Sequence, residues 1–158
     1  MKTLRNALSI AVVLTMLLSF GMLSYADSED DESYSQDSSV QAEWYSRGTN
    51  NDCLWSGTVS LVNPSGRVLV IQTDVIAYHV VDRIGYTVYL QRKATVGGDT
   101  STIKTYTGYD LNSGFVGGDY QKTVTQSGYY RLLGSFSTRH SIHQTEGGTA
   151  VTSWMWVD

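Results

Sequence analysis

From Leu54 onward, apolar and polar residues exchange places at every second position, and no stretch repeats its apolar residues at helical spacing. A chain patterned this way buries one side of each segment, so it must fold as β-sheet. Trp55, Gly57, Val59 and Leu61 alternate with Ser56, Thr58 and Ser60. Asn63-Pro64-Ser65-Gly66 follows, with Pro and Gly placed to reverse the chain. Residues 67–73 read as the returning strand, and 74–81 as a bent strand or a crossing segment. Ile84, Tyr86, Val88 and Leu90 mark the clearest strand, and residues 102–107 alternate again. Residues 108–114, rich in Gly, Asp, Asn and Ser, read as a loop. Tyr120, Lys122 and Val124 suit an edge strand, and Tyr130, Leu132, Gly134 and Phe136 line one face of another. After a polar turn over 140–148, residues 151–157 close the chain as a last strand. It carries Trp154 and Trp156 on one face and Val151, Met155 and Val157 on the other.

About seven strands with Gly-rich turns predict an all-β domain over 44–158, a sandwich of immunoglobulin or fibronectin type III style. A barrel is the architectural alternative. Tyr130, two residues before Leu132, stands where a tyrosine corner would bond its hydroxyl to upstream backbone. The tetrapeptide at 96–99 recurs at 116–119, but no longer repeat accompanies it, so the echo reads as loop sequence.

The N-terminal segment has a different character. Lys2 and Arg5 precede an apolar stretch over 7–23, and Ser24-Tyr25-Ala26 offers small residues at −3 and −1. Residues 1–26 thus read as a cleaved secretory signal, with no membrane span retained and an extracellular mature protein. Asp27, Glu29, Asp30, Asp31, Glu32 and Asp37 make residues 27–43 an acidic spacer, expected to be disordered. Beyond it acidic and basic residues balance. With no basic patch to neutralise phosphates, nucleic acid is not an expected partner.

Cys53 is the only cysteine, so no intrachain disulfide and no cysteine-based metal cluster can form. It reads as a small buried side chain rather than a reactive thiol or an intermolecular bridge, and no base lies near it in sequence to make it a nucleophile. His140, His143 and Glu146 are the metal candidates by ligand type, although their spacing also fits a polar hairpin loop. His79 falls in or beside a strand. There is no nucleophile elbow and no phosphate loop, and Asp110 and Asp119 suit loops better than a glycosidase pair. Eleven Tyr and four Trp are the remaining signal. Trp44, Tyr45, Tyr106, Tyr109 and Tyr120 are the candidates for an exposed sugar-binding platform, with Trp55, Trp154 and Trp156 assigned to the core.

Ala77, Val81, Asp82 and Ile84, followed by Tyr89-Leu90-Gln91, resemble a pattern found in small secreted proteins of Gram-positive bacteria, grouped as a domain of unknown function. Gly128-Tyr129-Tyr130-Arg131, then His140, His143 and Glu146, and the ending Thr152-Ser153-Trp154 extend the likeness over most of the chain after the acidic spacer. The resemblance implies secretion and a β-sandwich, and it transfers no catalytic or ligand-binding residue. The acidic spacer departs from that pattern.

The expectation is therefore a secreted, non-enzymatic module that binds an extracellular protein or glycan and needs no cofactor. The rival expectations are a carbohydrate-active or metal-dependent hydrolase using His140, His143 and Glu146, and a structural or toxin-like exported factor.

Overall fold

The computed structural model describes residues 33–46, 53–141 and 144–158. The signal expected over 1–26 lies outside the described residues. Those described form β1 (Tyr34–Ser35), β2 (Ser39–Tyr45), β3 (Leu54–Ser65), β4 (Val68–Lys93), β5 (Ser101–Thr123), β6 (Gly128–His140), β7 (Gln144–Val151) and β8 (Trp154–Val157), with no helix among them. No described helix is long and apolar enough to cross a membrane. The all-β class follows from the alternation. The immunoglobulin-style division into two separate sheets is replaced by one eight-stranded sheet, ordered β1-β8-β6-β4-β3-β2, with β5 on β4 and β7 on β6.

One long hairpin organises this sheet. β4 and β5 far exceed the usual strand length of about five or six residues, and they manage it by bending. Ile76 pairs with Phe115 and Val81 with Ser113, so Ala77, Tyr78, His79 and Val80 oppose Gly114 alone. Such an excess on one strand curls the pair. Asn112 absorbs part of the bend with φ 51, a conformation that asparagine tolerates. Before the elbow, β4 pairs β3 on its free edge; beyond it, β4 pairs β6.

The elbow brings the two halves face to face in a sandwich-like, nearly closed sheet. Leu61, Ile71, Val75, Ile84, Leu90 and Leu132 fill the interior with no exposed surface. The glycines of this interior mark where the halves touch. A β-carbon on Gly57 of β3 would overlap the ring of Phe136 on β6, and one on Gly148 of β7 would overlap Trp44 on β2. Tyr86 reaches across the hollow of the bend to cover Gly118.

Several sequence expectations are corrected. Residues 108–114 are no loop: they continue β5, and their turn-forming side chains serve the elbow rather than end the pairing. The turn expected over 140–148 is shorter, because β6 runs to His140 and β7 resumes at Gln144. The last strand breaks at Thr152 and Ser153. The domain also begins before Trp44. Val40 and Ala42 are buried in β2, and β1 runs parallel to β8, with Tyr34 opposite Trp154. The ammonium of Lys93, fully buried, meets the Tyr34 hydroxyl and lies over the rings of Tyr34 and Trp154, at 4.6 and 4.4 Å, which ties β1 down.

The tyrosine-corner bond is present. Tyr130 Oη donates to the carbonyl of Gln126 at 2.5 Å, and burial pushes its pKa up despite the opposing pull of Arg92. Tyr130→Phe leaves that carbonyl without its donor. The expected loss is about 1 kcal/mol of unfolding free energy, read by urea denaturation.

Candidate functional site: the outer face of β2 to β5

The side of the sheet turned away from the interior, on the first half of the hairpin, collects aromatic and acidic side chains in rows. Antiparallel register sets Tyr45, Ser56, Ile76 and Phe115 side by side across β2, β3, β4 and β5. The next row is Glu43, Thr58, Asp74 and Gly117, and the one after is Gln41, Ser60, Gln72 and Asp119. Three strand spacings make the face about 14 Å wide, and two residue steps on a strand separate neighbouring rows by about 7 Å.

A bulge supplies the most prominent feature. Leu54 pairs with Ala77 and Ser56 with Ile76, so Trp55 is an extra residue on β3. The extra residue breaks the alternation and turns the indole outward. Trp55 stacks on Tyr78, with ring centroids 6.0 Å apart and planes 27° from parallel. Both remain about half exposed, at 46 and 52 %. Tyr45 and Phe115 are similarly open, so one end of the face is an aromatic strip.

The rest of the face is hydrophilic and carries one sign of charge. Glu43, Asp74 and Asp119 stand in its two polar rows, and neither row contains a lysine or arginine. Gln72 Nε2 donates to Asp119 Oδ1 at 3.0 Å, which fixes both side chains. Partial burial, and then the Asp119 carboxylate, raise the Asp74 pKa above its ordinary 3.8. A raised carboxyl pKa means the folded state holds that proton more tightly than the unfolded chain does. Stability is then greatest with Asp74 protonated and falls as pH climbs through the region just above 3.8. Asp74→Asn is expected to match the parent Tm at pH 3 and exceed it at pH 7, by scanning calorimetry.

The residues singled out from sequence scatter. Of the five platform candidates, only Tyr45 lies on this face. Trp44, one residue earlier, points inward onto Gly148. Tyr106 and Tyr120 do stack on each other, at 4.4 Å and 29°, but inside the bend, where Tyr120 Oη meets Tyr86 Oη at 2.6 Å. Burial, and then the bond to Tyr120, push the Tyr86 pKa well above the usual range. Tyr109 is exposed beyond the elbow, under the Arg83 guanidinium at 4.4 Å. Trp154 is core as expected, whereas Trp55 and Trp156 are not.

Of the metal candidates, His140 and Glu146 have other partners. The ring of His140 sits edge-on to His79 with centroids 5.0 Å apart, and His143 lies outside the described residues. Glu146 Oε2 accepts the N–H groups of Cys53 and Leu54 at 2.5 and 2.9 Å, which makes it a clasp between β7 and the start of β3. Among the described residues, no three His, Cys, Asp or Glu side chains gather closely enough to hold a metal. Cys53 itself is buried. Asp110 and Asp119 lie on either side of the β5 elbow and form no pair, whereas Asp74 and Asp119 are diagonal neighbours across β4 and β5.

Sequence reasoning missed Trp55, Tyr78 and Phe115. A strict two-residue period places Trp55 with the core, and only the bulge reverses it. No protein-family model, curated protein or solved structure matches the chain.

Proposed function

We propose that this chain is a secreted, non-enzymatic binding module that lays a neutral glycan across the outer face of β2 to β5. The observation that carries this reading is the exposed Trp55–Tyr78 stack set beside rows of carboxylate, amide and hydroxyl side chains. Flat rings accept the C–H faces of sugars, while Gln41, Ser60, Gln72 and Asp119 offer donors and acceptors to hydroxyls. A protein partner fits less well. The centre of a protein interface is depleted of charge, and Glu43, Asp74 and Asp119 occupy this one. Those same carboxylates disfavour anionic polymers. Export is supported by the basic start, the apolar stretch and the Ser24-Tyr25-Ala26 site. The resemblance to secreted Gram-positive proteins points the same way.

One observation favours a second reading, a carbohydrate-active hydrolase. Two carboxylates, Asp74 with its raised pKa and Asp119, stand as diagonal neighbours, and a carboxylate pair is the machinery of glycoside hydrolysis. Against it, the pair stands on an open sheet face rather than in a cleft that excludes water.

Affinity electrophoresis of residues 27–158 through gels containing neutral polysaccharides (glucans, mannans, xylans) or polygalacturonate tests the proposal. Retardation by a neutral polymer and not by polygalacturonate is the expected result. Free migration through every neutral polymer rejects it, and release of reducing ends from a retarding polymer replaces it with the hydrolase.

A further inference from the structure

At the opposite end of the long hairpin from the elbow, the connection between β5 and β6 is unusually well anchored. Its three successive carbonyls each accept a side-chain donor from a different part of the chain. Arg67 Nη1 donates to Thr125 O at 2.5 Å, Tyr130 Oη to Gln126 O at 2.5 Å, and Arg92 Nη2 to Ser127 O at 2.6 Å. Val124 N–H in turn donates to Arg67 O at 2.9 Å. A four-residue connection held at three of its carbonyls is rigid, so any hollow it borders is pre-formed.

It does border one. A cavity of about 200 Å³ lies between this connection, the end of β4 and the edge strand β5. Two cationic side chains line it, Arg92 and Lys122, and no carboxylate does. Thr123, Thr125 and Ile103 are among the other residues of its wall. Neither cation is fully used by the fold. Lys122 makes no hydrogen bond or ion pair among the described residues, and the Arg92 guanidinium, which spends Nη2 on Ser127 O, meets no carboxylate in this wall. Two like charges beside one hollow repel each other. That cost falls when an oxyanion enters and offsets both charges.

We propose that this cavity is a binding site for a small oxyanion, a carboxylate or phosphate group held between Arg92 and Lys122. Its volume lies below the roughly 300 Å³ at which pockets begin to enclose a drug-sized ligand, so it takes a single acid group or a monosaccharide acid, not a polymer. The site is separate from the aromatic face and stands whether or not that face binds glycan.

The test is a ¹H–¹⁵N titration of residues 27–158 with sodium acetate, sodium phosphate and sodium glucuronate in turn, at constant ionic strength. Saturable shifts confined to residues around Arg92 and 122–126 are expected for at least one probe. Preference for glucuronate identifies a sugar acid as the ligand, and preference for phosphate a phosphoryl group. Lys122→Gln is expected to weaken binding about tenfold, since it removes one of two charge-assisted contacts and no bond of the fold. Trp55→Ala is expected to leave the titration unchanged, which separates this site from the glycan face. Absence of saturable shifts with all three probes, or equal affinity in a folded Lys122→Gln variant, overturns the proposal.

Discussion

Replacing Trp55 and Tyr78 together by alanine is expected to weaken glycan binding by about tenfold to a hundredfold while leaving the fold intact. The two rings are stacked and about half exposed, so they offer their faces to solvent and contribute little to the core. A favourable aromatic contact is worth roughly 0.5–1.5 kcal/mol beyond buried area, and two of them account for the loss. Exposed substitutions of this kind usually move stability by about 0.5 kcal/mol or less, so thermal unfolding of the double variant should overlay that of the parent. Trp156 is the control. It is equally exposed, but it packs edge-on against Tyr129 and donates to Asp158 Oδ1, away from the aromatic strip. Isothermal titration with the glycan that retards the parent should show Trp156→Ala unchanged. Equal losses in both variants would mean that the protein merely sticks to sugars through any open ring, and the ordered face would lose its claim.

The contrast between Trp55 and Trp44 shows how far the sequence is legible. Trp55 lies in an alternating run whose period assigns it a face, whereas Trp44 precedes that run and only its residue type makes it a platform candidate. For Val59, Leu61, Val88 and Leu90 that assignment holds, because long-range register keeps their strands in step. It fails at Trp55, where one extra residue on β3 reverses the face, and a bulge leaves no mark in local composition. It fails again at 108–114, where Gly, Asn and Asp usually stop a strand. Here Gly108 gives room to the Tyr86 ring and Asn112 takes the positive φ of the elbow, so pairing continues through residues that normally end it. The acidic N-terminal stretch misleads for a different reason. Charge marks most of it as solvated, but Val40 and Ala42 suffice to seat β2 once β3 offers an edge. Tyr130 was readable because its partner, the Gln126 carbonyl, is only four residues away. Tyr106 and Tyr120 find each other only because β5 bends, and a bend that depends on unequal pairing with β4 is not a local property.

That bend is also what makes Phe136 the most sensitive position in the core. Its ring, 1 % exposed on β6, lies in a hollow left by two residues without side chains, Gly57 on β3 and Gly134 on β6 itself. β3 and β6 are not hydrogen-bonded neighbours; both pair with β4, on either side of the elbow. The ring therefore joins the two halves of the folded sheet. Phe136→Ala is expected to cost about 3–5 kcal/mol, since neighbouring backbone cannot collapse into the space. Against the ordinary 5–15 kcal/mol of a domain, that lowers Tm by more than about 10 °C. Gly57→Ala is expected to destabilise for the opposite reason, because its new methyl would overlap the Phe136 ring, and overpacking of this kind costs about 1–3 kcal/mol. The two effects are coupled. In the double variant Gly57→Ala/Phe136→Ala, the added methyl occupies part of the vacated space, so the combined loss should be smaller than the sum of the single losses by about 1 kcal/mol or more. Guanidinium unfolding of the four proteins closes the cycle. Strict additivity would show that β3 and β6 do not meet at this ring, and the elbow in β4 would then not fold the sheet over itself.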